Sequence, residues 1–135
     1  MKEQLVKWEL NKSHEEVYII EKSKFINLGL TITLISSNPK KRKIKLLFNS
    51  VVFAYRNNLT NYNEWLKACA SLEKNNFCMN PNWSFFKVLN SKYIKWASEE
   101  SCTVSDINEL THFMIIGKNI TIEVLDISDP EISFL

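Results

Sequence analysis

The chain has 135 residues, of which 45% are hydrophobic and 24% are charged, as in an ordinary globular protein. This length corresponds to one domain, which can bury about two thirds of its extended surface. The formal net charge of +2 argues against a strongly basic domain dedicated to nucleic acid and against an acidic mimic of nucleic acid.

The cysteines and histidines do not form a metal-binding pattern. Cys69, Cys78 and Cys102 are odd in number and lack a CxxC spacing, and the two histidines are His14 and His112. We therefore expect reduced thiols in a cytoplasmic protein, with no metal and no cofactor. The N-terminus has no apolar run of signal-peptide length, and no segment approaches the ~20 apolar residues that cross a bilayer, so we expect no membrane partner.

Four segments in the first half of the chain favour β-strands, because they alternate apolar and polar residues or consist of β-branched and aromatic residues. They cover residues 6–10, 17–20, 28–34 and 44–48, and a polar loop at residues 36–42 precedes the last of them.

Up to Phe48 the alternating apolar residues of the last segment lie at even-numbered positions. They then lie at odd-numbered positions, namely Val51, Phe53 and Tyr55. Because a slip of one residue turns every side chain over, a continuous strand here needs a bulge near Asn49. We prefer that arrangement. The alternative is a turn at Asn49 and Ser50 that joins two short strands.

Residues 61–74 are predicted to form the longer of two helices. Asn61 followed by Glu64 has the spacing of a capping box. The apolar stripe at helical spacing consists of Tyr62, Trp65, Leu66, Cys69 and Leu72.

A short strand is predicted at residues 85–89, followed by the shorter helix. Asn90 or Ser91 can cap this helix, which runs to about Glu99. Its inward-facing residues are expected to be Tyr93, Ile94 and Ala97.

Residues 112–126 predict a β-hairpin around which the sheet is organised. Gly117 and Asn119 tolerate the positive φ that tight hairpin turns require. In the second strand Ile120, Ile122 and Val124 share one face, which leaves Thr121 and Glu123 on a wetter face.

Pro130 prevents residues 127–135 from forming an interior strand. The acidic residues Asp126, Asp129 and Glu131 lack the spacing of a calcium loop, and we expect a solvated tail. The whole pattern predicts a single α+β domain over residues 1–135, mainly an antiparallel β-sheet with one long and one short helix packed against it.

Lys40, Lys41, Arg42 and Lys43 form the one basic run of the sequence. Such a loop tip can bind nucleic-acid phosphates, but no aromatic residues are interleaved within it for base stacking. A solvated loop that protects a strand end from aggregation explains the run equally well. Nucleic acid is therefore only the second choice of partner.

His112 and Glu123 lie on opposite strands of the predicted hairpin. Such a pair can perform acid–base chemistry if the two side chains are within hydrogen-bond reach. The sequence shows neither a nucleophile nor a third, orienting group beside them. A structural histidine is therefore the favoured interpretation, and a small enzyme is the alternative.

Aromatic residues of the second half supply candidate anchors for a protein partner. Trp83 lies in a loop beside Pro81, and Trp96 falls off the inward face of the shorter helix. Exposed Trp and Tyr side chains dominate binding energies at interfaces, although packing over the edge of the core explains the same residues. The candidate partner-binding residues are Trp83, Tyr93, Trp96 and Glu123.

A further pattern joins residues 53–56, 86–94, 112–116 and 122–125 with Trp96 and Pro130. These segments resemble a group of small, largely uncharacterised bacterial cytoplasmic proteins that include immunity proteins, which neutralise the toxins of competing cells. The resemblance implies a binding function with a cognate protein toxin as partner, and it carries over no catalytic residue. We therefore predict a non-enzymatic immunity protein, a monomer or homodimer, that blocks its toxin by steric occlusion.

Overall fold

The computed structural model describes residues 3–10, 16–27, 29–36, 42–49, 52–71, 82–100 and 109–135. These residues form nine β-strands and two α-helices. The predicted α+β class and the predominance of antiparallel sheet are therefore confirmed. The strands are divided between two sheets, however, where the sequence predicted one.

Five strands form the first sheet: β1 (Gln4–Lys7), β5 (Ala54–Asn58), β6 (Phe85–Leu89), β7 (Thr111–Ile116) and β8 (Thr121–Asp126). Their order in the sheet is β1-β6-β7-β8-β5, and all neighbours are antiparallel. The predicted hairpin is confirmed, and its strands β7 and β8 lie at the centre of this sheet.

Four strands form the second sheet: β2 (Ile19–Ile26), β3 (Gly29–Ile35), β4 (Lys43–Phe48) and β9 (Glu131–Phe134). Their order is β2-β3-β4-β9, again antiparallel throughout. The strand predicted at residues 17–20 begins later and continues to Ile26. β9 is an edge strand, in agreement with the restriction that Pro130 imposes.

The two helices are α1 (Tyr62–Ser71) and α2 (Lys92–Glu100). The predicted cap at Asn61 is confirmed, since its Oδ1 accepts the Glu64 N–H at 2.9 Å. Of the two candidate caps for the second helix, Ser91 is the one used, and its Oγ accepts the Ile94 N–H at 3.0 Å. The described helices are of similar length, 10 and 9 residues. The end predicted for the first helix, at Lys74, lies outside the described residues.

The core lies between the sheets. Strand alternation turns one face of each sheet toward the other, and the buried residues on these inner faces include Leu30, Ile32, Leu34, Ile44, Leu46, Phe48, Phe113, Ile115, Ile122 and Val124. The ring of Phe113 in the first sheet lies 5.3 Å from that of Phe48 in the second and 5.0 Å from that of Trp8. Each buried side chain of this size contributes roughly 1.5–3 kcal/mol.

The change of parity after residue 48 marks a passage between sheets. β4 ends at Phe48 in the second sheet, and β5 begins at Ala54 in the first. The preferred prediction, a continuous strand with a bulge near Asn49, is therefore wrong. A register shift occurs elsewhere, between Ile20 and Lys22 in the pairing of β2 with β3.

The turn of the hairpin is built differently from the prediction. Neither Gly117 nor Asn119 has a positive φ. Gly117 is needed for space instead, since a Cβ atom there would lie 2.9 Å from Asn119 Oδ1 and 3.0 Å from the Ile120 carbonyl oxygen. The Asn119 amide binds both backbone groups of Ile20, accepting its N–H at 3.1 Å and donating to its carbonyl at 2.8 Å. The turn therefore fastens the first sheet to β2 of the second.

The expectation of a solvated acidic tail holds for Asp129 and Glu131, which are exposed, and is wrong for Asp126. Asp126 is buried, and its Oδ1 accepts the N–H of Ile127 at 2.7 Å. Asp129 is exposed and lies 3.5 Å from Lys87 Nζ, while Glu131 begins β9. The three acidic residues thus have separate environments.

Candidate functional site

The outer face of the first sheet, which is turned away from the second sheet, carries the predicted His–Glu pair. In the register of the sheet, Glu123 of β8 lies between Met114 of β7 and Arg56 of β5. His112 is two residues before Met114 and therefore shares this face. The three side chains of interest, His112, Glu123 and Arg56, thus meet on one surface.

This face is not the wetter one that alternation predicted. Glu123 is 4% exposed and Thr121 is fully buried. The two helices explain the burial: Trp65 of α1 donates its Nε1–H to Thr121 Oγ1 at 2.9 Å, and Tyr93 of α2 packs edge-on against the His112 ring. The hairpin is therefore covered on both faces.

Glu123 accepts three hydrogen bonds. Arg56 donates Nε–H to Oε2 at 2.7 Å and Nη2–H to Oε1 at 3.0 Å, and His112 Nε2 lies 2.8 Å from Oε1. The side chains of His112 and Glu123 are only 2% and 6% exposed, whereas that of Arg56 is 50% exposed. The paired arrangement of an Arg with a carboxylate is among the stronger hydrogen-bonding geometries in proteins.

These contacts fix the charge of the site. Burial by itself would raise the pKa of Glu123, but the hydrogen bonds from His112 and Arg56 outweigh burial and lower this pKa to about 2. The hydrogen bond to Glu123 raises the pKa of Arg56, and burial raises the pKa of the Tyr93 phenol. At neutral pH the site therefore holds an ionised Arg–Glu pair beside an uncharged phenol.

A second group orients His112 from the other side of its ring. An ionised carboxylate can only accept hydrogen bonds, so His112 Nε2 carries the proton that points at Glu123. His112 Nδ1 lies 2.7 Å from Ser91 Oγ, which also caps α2 by accepting the Ile94 N–H. In a neutral His112 this nitrogen accepts the Ser91 hydroxyl proton. The result is a continuous chain from α2 through β7 and β8 to β5.

Aromatic rings extend this chain to the surface. The Arg56 guanidinium carbon lies 3.9 Å from the centroid of the Tyr93 ring, and the Tyr93 and Trp96 rings are 5.7 Å apart. Tyr93 is buried, whereas Trp96 is 53% exposed. We call Trp96, Tyr93, Arg56 and Glu123 the anchor cluster.

A cavity of about 550 Å³ opens on the outer face beside the anchor cluster. Its lining includes His112 and Glu123 of the hairpin, Arg56 of β5 and Trp65 of α1. Ser91 does not line it, and its hydroxyl is occupied as a helix cap. The residue types of a Ser–His–acid triad are therefore present, but the serine is placed to orient the histidine.

Three of the four predicted partner-binding residues come together in the anchor cluster: Tyr93, Trp96 and Glu123. Trp83 does not join them. It is 4% exposed, and its Nε1–H donates to the Trp8 carbonyl at 3.1 Å in the core. It leaves almost no surface for a partner.

Arg56 is the residue that the sequence reasoning did not single out. The alternation of β5 can place it on the same face as Ala54, but its partner Glu123 is 67 residues away in the chain. No local pattern reports a pairing at that distance. The sequence shows only that one strand contains an arginine and that another strand contains a glutamate of opposite charge. It does not show that the two strands are neighbours.

Half of the predicted basic run lies outside the described residues, since Lys40 and Lys41 are not among them. Arg42 is half-buried and Lys43 is exposed. Lys43 joins Lys22, Lys24 and Lys45 around a shallow depression of about 330 Å³ on the outer side of the second sheet. We call these four lysines the basic face. Glu21 lies 3.7 Å from Lys43 Nζ and partly offsets its charge.

Among the described residues, no group of three or more His, Cys, Asp or Glu side chains is placed to hold a metal ion. Neither described helix is long and apolar enough to cross a membrane.

Comparison with protein-family models, with curated proteins and with solved structures finds no match to this chain. The function must therefore be argued from the site itself.

Proposed function

We propose that this protein is a non-enzymatic protein-binding module that holds its partner at the anchor cluster. The observation that carries the proposal is Trp96, whose large apolar side chain is 53% exposed on α2. A partner that covers this indole recovers hydrophobic stabilisation that the isolated protein forgoes. Trp, Tyr and Arg are also the residue types in which interface hot spots are enriched.

The anchor cluster is ordered before any partner arrives. Two hydrogen bonds to Glu123 hold the Arg56 guanidinium, which lies over the Tyr93 ring, and Tyr93 in turn contacts Trp96. Ordering rotamer-rich side chains at an interface costs about 0.5–1.5 kcal/mol each. A surface that is already ordered avoids much of this cost, which favours binding.

Charged residues surround the exposed indole. Lys92, Glu99 and Glu100 are exposed and lie one helical turn from Trp96 on α2. An apolar centre with a charged rim of both signs is the usual anatomy of a protein–protein interface. We infer a partner with a pocket for an aromatic side chain and a rim of mixed charge.

The resemblance to immunity proteins makes a toxin of a competing cell the partner to test first. In that case the protein blocks the toxin by steric occlusion. The net charge of +2 fits this mechanism better than acidic mimicry of a nucleic-acid substrate.

The experiment compares tagged wild-type protein with Trp96→Ala in a pull-down from the native host, followed by mass spectrometry. The products of neighbouring genes are included. The recovered partner is then purified, and its Kd is measured by calorimetry. A hot-spot residue costs at least about 2 kcal/mol when truncated, so we expect Trp96→Ala to weaken binding about 30-fold or more.

Phe25→Ala is the matched control, because Phe25 is 52% exposed but lies on β2 in the second sheet. It should leave the Kd unchanged. If Trp96→Ala binds the partner and protects cells from it as well as the wild type does, the anchor cluster is not the interface.

Nucleic acid is the second candidate partner, and the basic face is the observation that favours it. Four lysines on one open sheet face can neutralise several phosphates, which gives an affinity that falls steeply with salt. Thr31 and Thr33 of β3 line the same depression and add hydroxyl donors.

Fluorescence anisotropy with labelled single-stranded RNA and labelled duplex DNA tests this candidate across a range of salt concentrations. Lys24→Glu should reduce the affinity, whereas Lys92→Glu on α2 should not. Wild-type protein that shows no salt-dependent affinity for either probe would eliminate nucleic acid as a partner.

A further inference from the structure

The cavity beside the anchor cluster shares Arg56 and Glu123 with it, but the other residues that line the cavity take no part in the proposed protein-binding surface. Its volume of about 550 Å³ lies within the range of ligand pockets in proteins, roughly 300–1,000 Å³. Two of its lining residues, His112 and Glu123, are buried polar groups held rigidly by hydrogen bonds. Pockets of this kind are largely formed before their ligand binds.

One end of the cavity has a surplus of hydrogen-bond donors. Arg56 gives two of its five N–H groups to Glu123. Asn58 Oδ1 accepts the Thr60 N–H at 3.0 Å, which leaves the Asn58 amide hydrogens without a partner among the described residues. The Thr60 carbonyl accepts the Thr121 hydroxyl, and the Thr60 hydroxyl likewise has no described partner.

Three of the four carboxylate oxygens in the cavity lining already accept hydrogen bonds. Glu123 Oε1 accepts from both His112 and Arg56, and Oε2 accepts from Arg56. Glu3 Oε2 accepts the Lys92 N–H at 2.8 Å. A ligand ammonium group, which can only donate hydrogen bonds, therefore finds few acceptors here.

The charges disfavour an anion. The one permanent positive charge in the lining, on Arg56, is compensated by Glu123, and Glu3 adds a second carboxylate. A ligand carboxylate would therefore enter a region whose net charge is not positive. A neutral carbonyl oxygen can accept from Arg56, Asn58 and Thr60 without this repulsion.

Apolar side chains line the same cavity: Leu5, Val88 and Met114, together with the indole of Trp65. The Trp65 Nε1–H is committed to Thr121, so its ring contributes mainly apolar surface. From this arrangement we infer that the cavity binds a small uncharged organic ligand with an amide or carbonyl head and an apolar body. Its head lies at Arg56, Asn58 and Thr60.

Three probes of one shape and different charge test the inference: 3-phenylpropanamide, 3-phenylpropanoate and 3-phenylpropylammonium. Binding to the full chain is measured by NMR titration, with the Trp65 indole N–H and the Asn58 side-chain amide as reporters. We expect the amide to bind tightest and to shift both signals. Tighter binding of the carboxylate or the ammonium, or no shift with any probe, would overturn the inference.

Asn58→Asp sharpens the test, because it keeps the oxygen that accepts the Thr60 N–H and removes the amide donors. We expect the affinity for 3-phenylpropanamide to fall about fivefold to tenfold, the cost of one hydrogen bond, while the affinity for the ammonium probe rises. The matched control is Asn57→Asp, which adds the same charge one residue away on the opposite face of β5, where Asn57 donates to Tyr55. Equal effects of the two variants would show that charge alone, and not the cavity, governs binding. Because neither change touches Trp96, the outcome is independent of the proposed protein partner.

Discussion

Replacing Glu123 with Gln removes the central charge of the anchor cluster while preserving the shape of the side chain. The pKa of Glu123 is lowered from 4.5 to about 2 by its partners. Each pKa unit corresponds to about 1.4 kcal/mol, so the ionised carboxylate contributes about 3 kcal/mol to the free energy of unfolding at neutral pH. The amide of Gln retains an acceptor oxygen, and Arg56 can be partly hydrated. We therefore expect Glu123→Gln to lower the free energy of unfolding at neutral pH by about 2–3 kcal/mol.

The loss should depend on pH in a defined direction. Because the pKa of Glu123 is lower in the folded than in the unfolded state, folding favours the ionised form. The stabilisation is fully present above about pH 4.5 and is lost as the pH falls toward about 2. The difference between wild type and variant should accordingly shrink by more than half between neutral pH and about pH 3.

Urea unfolding followed by tryptophan fluorescence at several pH values measures this difference. Glu131→Gln, on the exposed side of the edge strand β9, is the control and should change stability by less than about 0.5 kcal/mol. A loss below about 1 kcal/mol for Glu123→Gln at neutral pH would show that the Arg–Glu pair is not a significant stabilising contact. An undiminished loss at about pH 3 would refute the assignment of the effect to the carboxylate charge.

Three further changes test the contacts that hold the site and the sheets together. Ser91→Ala removes the cap of α2 and should lower the free energy of unfolding by about 1–2 kcal/mol. It should also alter the NMR signals of the His112 ring, whereas Ser91→Thr should preserve the stability and these signals. Asn119→Ala should lower the free energy of unfolding by about 1–3 kcal/mol and speed hydrogen exchange at Ile20, because both backbone groups of Ile20 lose their partner. Asn119→Asp keeps the acceptor, so exchange at Ile20 should be slower in this variant than in the alanine variant. Phe113→Ala should lose about 3–5 kcal/mol in urea unfolding, since its ring is fully buried between the sheets, and a loss below about 2 kcal/mol would contradict that placement.

Local features of the fold could be predicted because their causes lie within a few residues. Alternation along residues 30–34 fixed which side chains face the core, and all three apolar ones are fully buried. Asn61 and Ser91 cap their helices because an N-cap side chain acts on the backbone only three residues ahead. The hairpin of β7 and β8 is likewise a contact between neighbouring segments.

The sequence could not show how the segments are distributed between two sheets. Alternation indicates which residues of a strand share a face, but it does not indicate the strand with which it pairs. The shift of the apolar residues from even to odd positions after Phe48 does not distinguish a bulge or a turn from a crossing to the other sheet. The chain crosses to the first sheet because β5 pairs with β8, a strand far along the chain.

The anchor cluster belongs to the tertiary structure alone. The sequence determined that Glu123 lies on the face of β8 opposite the core, from which solvent exposure was expected. Only the folded chain places Arg56 beside it on β5 and covers the pair with α2. The physical reason is that burial and charge pairing depend on the groups that pack against a face. Here the Ser91–His112 contact joins residues 21 apart in the chain, and the Arg56–Glu123 contact joins residues 67 apart.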